Sequence, residues 1–479
     1  MKNIKFTLIL ILILIIGASL RLYRTPENLY FGENAYEYLE AKKIIETKQI
    51  PLVGISTSHS WLLQGPLYYW IFVPVLALAN YDPVSIAYVF VILHLFSIPL
   101  NYFVVKNIFG RRTAVISSLF MAISPSWLYL AKEARSFALI PLLLYPFLYH
   151  FYKFSSGNKR SLLWAAFFYG LILNLHYSPL MFIPGVIFII YRLKLKISKR
   201  NFILSSIFFL IPQLPLIIYS AINNWSMLLK FAVWIPYRIT SFLGIYKAAD
   251  ITSGKYITTL SDIYNFFQAS LSFSNNFLIP FIILLVLFYL LYKYIKAKNK
   301  SYLIVSSLFI SGLGALLIHT NPPWHYFVPL FPILAIIVSD FISKISQPII
   351  KLLVIIIFLY FAYQNSLFLF SHKWFYQNND VYNSESIFPS YKLEKAISSK
   401  IIEDAKGHNF NLRRVGKLDH YPDNFILPYR YILWRNGNEP AAQKQDLVYT
   451  IYEDTTKLPV KPSGELFWIS NVAVLKENL

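Results

Sequence analysis

The chain contains no cysteine. That excludes disulfide bonds, thiol catalysis and cysteine-ligated metals, although it identifies no compartment. Charge is scarce as well: 14% of the 479 residues are Asp, Glu, Lys or Arg, against roughly a quarter in a soluble domain. There is no P-loop, no glycine-rich dinucleotide motif and no nucleophile elbow, and neither an internal repeat nor a low-complexity linker. What the chain does contain is apolar. Hydrophobic residues make up 56%, with 40 Phe and 36 Tyr, and mean hydropathy is +0.50. Such a composition belongs in a bilayer.

The net charge of +21 would suit nucleic acid if it were spread over a polar surface, but its placement excludes that reading. The short segments between apolar spans hold Lys2 and Lys5; Lys106, Arg111 and Arg112; and Lys153, Lys159 and Arg160. Further along come Arg192, Lys194, Lys196, Lys199 and Arg200; Lys293, Lys296, Lys298 and Lys300; and Lys344 and Lys351. These 19 cations are accompanied by no Asp or Glu. Basic excess confined to short loops is the positive-inside mark of cytoplasmic segments.

Apolar spans are expected at 4–20, 84–105, 113–131, 136–152, 161–177, 179–191, 202–222, 277–292, 301–318, 325–343 and 349–367. One further apolar stretch, 66–80, would move the later basic loops to alternating sides if it crossed. Its short length and Pro74 suit an interfacial helix on the outer side. The expected fold is therefore a polytopic α-helical membrane protein with about 11 transmembrane helices and outer-face interfacial helices. Its N-terminus is cytoplasmic. The first span is read as a retained anchor, although Lys2, Lys5 and Gly17–Ser19 also resemble a signal peptide.

The expected division is a transmembrane domain over 1–367, with outer loops 21–83 and 223–276, and a small extracytoplasmic α+β domain over 368–479. In this tail, Leu393, Ile397 and Ile401 predict a helix over 391–405. Strands are predicted at 425–434, 446–453 and 465–475, with a turn at Asn436–Gly437.

Three places carry residues suited to chemistry. In the first outer loop, Glu33, Glu37, Glu40, Lys43 and Thr47 recur at helical spacing among apolar residues, which predicts an amphipathic helix on the membrane surface. Glu33 stands at its start, either as a helix cap or as a reactive carboxylate. The second outer loop is only Lys132–Arg135. Arg135 there either pairs with Glu133 or clamps an anionic headgroup, since a guanidinium grips phosphate oxygens bidentately. Near the tenth span, His319, Trp324, His325 and Tyr326 form either an interfacial aromatic belt or part of a site. Their spacing matches no metal-ligand pattern, so no metal residue is assigned and the cofactor stays unknown.

In order, FGENAYEYLEA (31–41), GPLYYW (65–70), KNIFGRR (106–112), SPSWLYLAKEARSFAL (124–139) and HYFVPLFPILAII (325–337) resemble glycosyltransferase family 39 and its GT-C relatives. That group includes protein O-mannosyltransferases and the lipid A aminoarabinose transferase, and the resemblance covers about residues 5–345. Where the family carries Asp-Glu, this chain has Glu33–Asn34; where some relatives have Glu-Lys, it has Gln64–Gly65. The resemblance implies sugar transfer, with inversion, from a polyprenyl-phosphate donor to an acceptor hydroxyl at the outer face of the cell membrane. It implies that Glu33 is the general base, that Arg135 and Lys132 bind the donor phosphate, and that Asn34, Glu133, Gln64, His325 and Tyr326 support the site or contact acceptor. The acceptor, whether glycan, lipid or protein, is not specified. The rival readings are a transporter or flippase and a non-catalytic binding protein for lipid-linked saccharides. Spans nearly free of charge and acids gathered outside favour surface chemistry over transport.

Overall fold

The computed structural model describes residues 2–26, 31–32, 34–57, 59–242, 255–273, 276–295, 299–319, 322–370, 389–416 and 422–478. The chain opens with α1 (Lys2–Leu22), α2 (Ala35–Thr47) and α3 (Leu67–Leu78). A long α4 (Pro83–Phe109) then runs into α5 (Arg111–Ile123) and α6 (Pro125–Lys132). Next come α7 (Ile140–Ser155), α8 (Ser161–Leu175), α9 (Ile183–Arg192), α10 (Lys199–Leu210) and α11 (Leu214–Ile222). The outer-loop helices are α12 (Ser226–Phe242) and α13 (Lys255–Leu271). Then α14 (Ile279–Ile295), α15 (Lys300–His319), α16 (Leu330–Lys344) and α17 (Pro348–Phe370) complete the helical part.

Every apolar span expected from the sequence is helical. Among the described residues, five stretches are long and apolar enough to cross a membrane, or six if α5 and α6, bent by 57°, form one broken span. Of the remaining apolar helices, α3, α8 and α9 are shorter than a bilayer requires. Pro83, Pro125, Pro141 and Pro184 occupy first turns, where no amide donor is needed, while Pro74, Pro99, Pro146 and Pro236 lie inside helices. At 12 residues, α3 spans about 18 Å, short of a hydrocarbon core. α17 and the α10–α11 stretch bury little of their apolar surface within the protein, as helices facing lipid should.

The tail folds as α18 (Tyr391–Ala405), β1 (Asn411–Val415), α19 (Pro422–Arg435), β2 (Leu447–Tyr452), β3 (Glu465–Ile469) and β4 (Val472–Asn478). The sheet order is β1-β2-β4-β3, with β1 and β2 parallel and the other pairs antiparallel. Ile397, Ile401, Tyr429 and Leu433 of the two helices pack on Tyr449, Ile451, Val472 and Val474 of the sheet.

The predicted helix at 391–405 and strand at 446–453 are present, but two strand expectations fail. Residues 425–434 are helical: the positions that are not buried, Leu427, Arg430 and Trp434, recur every three to four residues, leaving the rest of the helix surface buried. Aromatic and β-branched content had masked that period. Asn436–Gly437 accordingly ends a helix, with Gly437 at φ 76°, and does not join two strands. The predicted strand 465–475 is two strands turning at Ser470, φ 56°. The membrane part and the tail share one core: Tyr391, Tyr431 and Ile432 belong to the same buried cluster as Phe31, Tyr38 and Phe72.

Candidate active site

The α6–α7 turn supplies the positive charge. Ser124, in extended conformation, and Pro125 break the helix before α6, and the Ser124 hydroxyl donates to the Ser270 carbonyl at 2.6 Å. α6 then ends at Lys132, and Glu133 and Arg135 adopt extended backbone before a 3₁₀ turn at Ser136–Leu139. Three contacts grip this turn. The Arg135 Nε donates to the Asn34 Oδ1 at 2.6 Å and lies 3.5 Å from the Glu133 carboxylate. The Ser136 hydroxyl donates to the Gln64 Oε1 at 2.8 Å. The Ala134 carbonyl accepts from the Tyr68 hydroxyl at 2.6 Å. The first loop and the 133–136 turn, joined by contacts between residues 66 to 101 positions apart, are thus one unit.

Glu33 lies outside the described residues. Its neighbours Gly32 and Asn34 are buried, and α2 begins at Ala35. α2 does not present all its acids to water, as its spacing suggested. Glu37 is 7% exposed and its carboxylate accepts from the Tyr68 hydroxyl. The reason is the partner: Asn34, Glu37, Tyr38 and Ala41 make the buried face, and α3 brings a phenol to the one acid on it. Burial, then the Glu37 charge, pushes the Tyr68 hydroxyl well above the usual phenol range, so it stays a proton donor. Neither Glu37 nor Tyr68 was legible as a site residue. The signal that could have found them is that Glu37 falls one helical turn before Ala41 on the small-residue face.

Gln64 and Gly65 are held by a different neighbour. The Gly65 amide donates to the Asn174 carbonyl at 2.8 Å, and the Asn174 side chain accepts from Leu67 N at 2.9 Å while donating to Pro212 O at 2.8 Å. A Cβ on Gly65 would lie 2.0 to 2.2 Å from the Asn174 side chain. This position has room for no side chain at all.

Lys132 is 1% exposed, with its ammonium donating to the Tyr23 carbonyl beyond the end of α1. Beside the turn, the Phe137 ring stacks on His325 at 5.0 Å and meets Trp324 edge-on at 5.5 Å. His325 in turn meets His176 at 5.1 Å and Tyr326 at 5.0 Å. Among the described residues, no group of three His, Asp or Glu is placed to hold a metal ion. Next to this aromatic shelf lies a cavity of about 430 Å³, lined by Ser126, Tyr129, Asp262, Gln268, Trp324 and Phe266 among others. α2 packs on α3 and on α19 of the tail, and α3 packs on α4 and α8.

Residues 63–219 match the family model described as dolichyl-phosphate-mannose-protein mannosyltransferase. ArnT from Cupriavidus metallidurans bound to undecaprenyl phosphate superposes with a TM-score of 0.61 at 12% identity, covering 100% of this chain and 98% of that one. Its apo state gives 0.63 at 11% identity, over 100% and 99%. This is a GT-C fold. The resemblance to family 39 holds accordingly, on the matched segment and on the architecture. A second GT-C protein, the Archaeoglobus fulgidus oligosaccharyltransferase in its apo form, aligns at a TM-score of 0.50 and 12% identity over 83% of this chain and 58% of that one. No curated protein matches the sequence. Of the candidate residues, the family segment contains Gln64, Lys132, Glu133 and Arg135; Glu33, Asn34, His325 and Tyr326 lie outside it. The apolar helices make this a multi-pass membrane protein, and the superposition on ArnT includes the small C-terminal domain with its four-stranded sheet.

Proposed function

We propose that the chain is a glycosyltransferase that takes a sugar from a polyprenyl-phosphate carrier and delivers it, with inversion, to an acceptor hydroxyl at the outer face of the membrane. The observation that carries the reading is the 2.6 Å contact of Arg135 with Asn34, which puts the guanidinium beside the residue next to Glu33. The GT-C fold, and a relative solved with undecaprenyl phosphate, support a lipid-phosphate ligand.

In this mechanism the acceptor oxygen attacks the anomeric carbon while the carbon–oxygen bond to the lipid phosphate breaks. Glu33 takes the hydroxyl proton as general base. Arg135 stabilises the charge that grows on the departing phosphate, its orientation set by Asn34 and Glu133. Lys132, committed to the Tyr23 carbonyl, is the weaker phosphate candidate. His325 and Tyr326 line the approach on the Phe137 side, and the aromatic cavity beside Trp324 takes the apolar part of a substrate. The six basic segments, read as cytoplasmic, support an outer location for these elements and for the tail over 368–479.

The test is turnover of a polyprenyl-phosphate sugar by purified protein in nanodiscs. Glu33→Gln should insert and fold normally yet lose about 10²–10⁴-fold in transfer. Transfer at the wild-type rate would leave Glu33 as a helix cap.

A further inference from the structure

The C-terminal domain, chiefly through α19, touches the membrane part at three places, and all lead back to the reaction centre. Tyr431 and Tyr391 meet the Phe31 ring edge-on at 5.4 and 5.3 Å, and Tyr38 closes the same cage at 5.0 Å. Phe31 is 2% exposed, and Gly32 alone separates it from Glu33. The second place is the turn between α3 and α4, where Asn80 and Tyr81 have φ of 49° and 60°. Two consecutive non-glycine residues in the left-handed region persist only where their surroundings hold them. Here α19 does so: Arg435 Nε donates to the Asn80 carbonyl at 3.2 Å and the Tyr431 hydroxyl to the Tyr81 carbonyl at 2.8 Å. Arg435 also lies 3.4 Å from Asp82, the N-cap of α4. The third place is α2, where the Lys42 ammonium sits 4.2 Å from the Trp434 ring and 3.6 Å from Glu439.

We infer that the C-terminal domain is a clamp on the catalytic loop, with Tyr431 as its positioning residue. The inference rests on the role proposed for Glu33. Glycine next to a general base leaves the backbone free to wander, so the base needs an anchor on its far side. Phe31 is that anchor, and three tyrosines, two of them from the C-terminal domain, fix it. The same α19 surface fixes α2 and the α3–α4 turn, the helices whose Glu37 and Tyr68 reach the Arg135 turn. The domain thereby sets the distance between the base and the phosphate-binding arginine without touching substrate.

The test uses the full chain in nanodiscs. Tyr431→Ala should lower kcat about 10²-fold, the effect of a misplacement near 1 Å, while KM for the lipid-linked sugar stays near the wild-type value. Tyr431→Phe keeps the ring on Phe31 and should retain most of kcat. Amide exchange of residues 34–47 should speed up in Tyr431→Ala while β2 and β4 stay protected. Unchanged exchange there, or unchanged kcat alongside faster exchange, overturns the clamp. Should Tyr431→Ala expose β2, Arg435→Ala, at an exposed position, applies the same criteria through Asn80. The exchange reading is independent of chemistry: a wild-type protein without transfer would sink the proposed reaction and still let exchange decide the clamp.

Discussion

Replacing Gly65 by alanine adds one methyl group, and the structure says where it must go. Its Cβ would lie 2.0 to 2.2 Å from the carboxamide atoms of Asn174. Asn174 cannot swing aside cheaply, because it is 2% exposed and bonded to Leu67 N and Pro212 O. If it moves, two buried polar groups lose partners, at about 1–3 kcal/mol each. If it stays, the backbone at 64–66 must shift, an overpacking of about 1–3 kcal/mol. The first route costs about 2–6 kcal/mol and the second about 1–3 kcal/mol, so the cheaper one sets the loss at about 1–3 kcal/mol. The assay is the apparent unfolding midpoint in detergent for Gly65→Ala, Asn174→Ala and the double variant. Asn174→Ala clears the space, so the double variant should be much less destabilised than the sum of the singles. Additive losses, or a Gly65→Ala protein as stable as wild type, would refute the reasoning. The functional corollary is that Gln64, one residue back, releases Ser136, so transfer should fall as well.

Arg135→Lys should lose much of the transfer activity and Arg135→Ala nearly all, because an ammonium keeps the charge but not the fork; turnover and lipid-phosphate binding check this. Tyr68→Phe leaves the Ala134 carbonyl and the Glu37 carboxylate without their shared donor, and should reduce kcat together with stability by about 1–3 kcal/mol, read by unfolding and turnover. Glu394 is raised well above the usual carboxylate range by burial and then by Glu453, with Arg414 opposing. Its stabilising contribution is therefore present below the unfolded carboxylate value and lost as pH rises through the raised one, so Glu394→Gln should flatten the fall of the unfolding midpoint as pH rises above the ordinary carboxylate range. Reporter fusions after Asn80 and after Ser371 should both report the outer side; a cytoplasmic signal at Asn80 would overturn the eleven-span topology.

Much of the fold was legible because bilayer crossing is a composition rule. Each apolar run became a helix, since a buried backbone in lipid has no other way to satisfy its hydrogen bonds. The tail was read less well, because a run such as Phe425–Trp434 satisfies both a strand's composition and a helix's period, and only packing on a sheet chooses between them. Within the site, Glu133 and Arg135 were visible as charges where the membrane makes charge expensive. Glu37 was not, since its partner Tyr68 lies 31 residues away.

The sequence alone determined that this is a multi-helix membrane protein, which short loops are basic, and which few polar residues gather between the spans. Those properties are local sums of hydropathy and charge. Only the tertiary structure decided that Asn34, not a second carboxylate, meets Arg135, and that Lys132 is bound to the Tyr23 carbonyl. It also decided that the space a side chain at Gly65 would need is filled by Asn174. Such pairings join residues a hundred or more positions apart. Side-chain hydrogen bonds act over about 3 Å, so no periodicity along the chain can encode them.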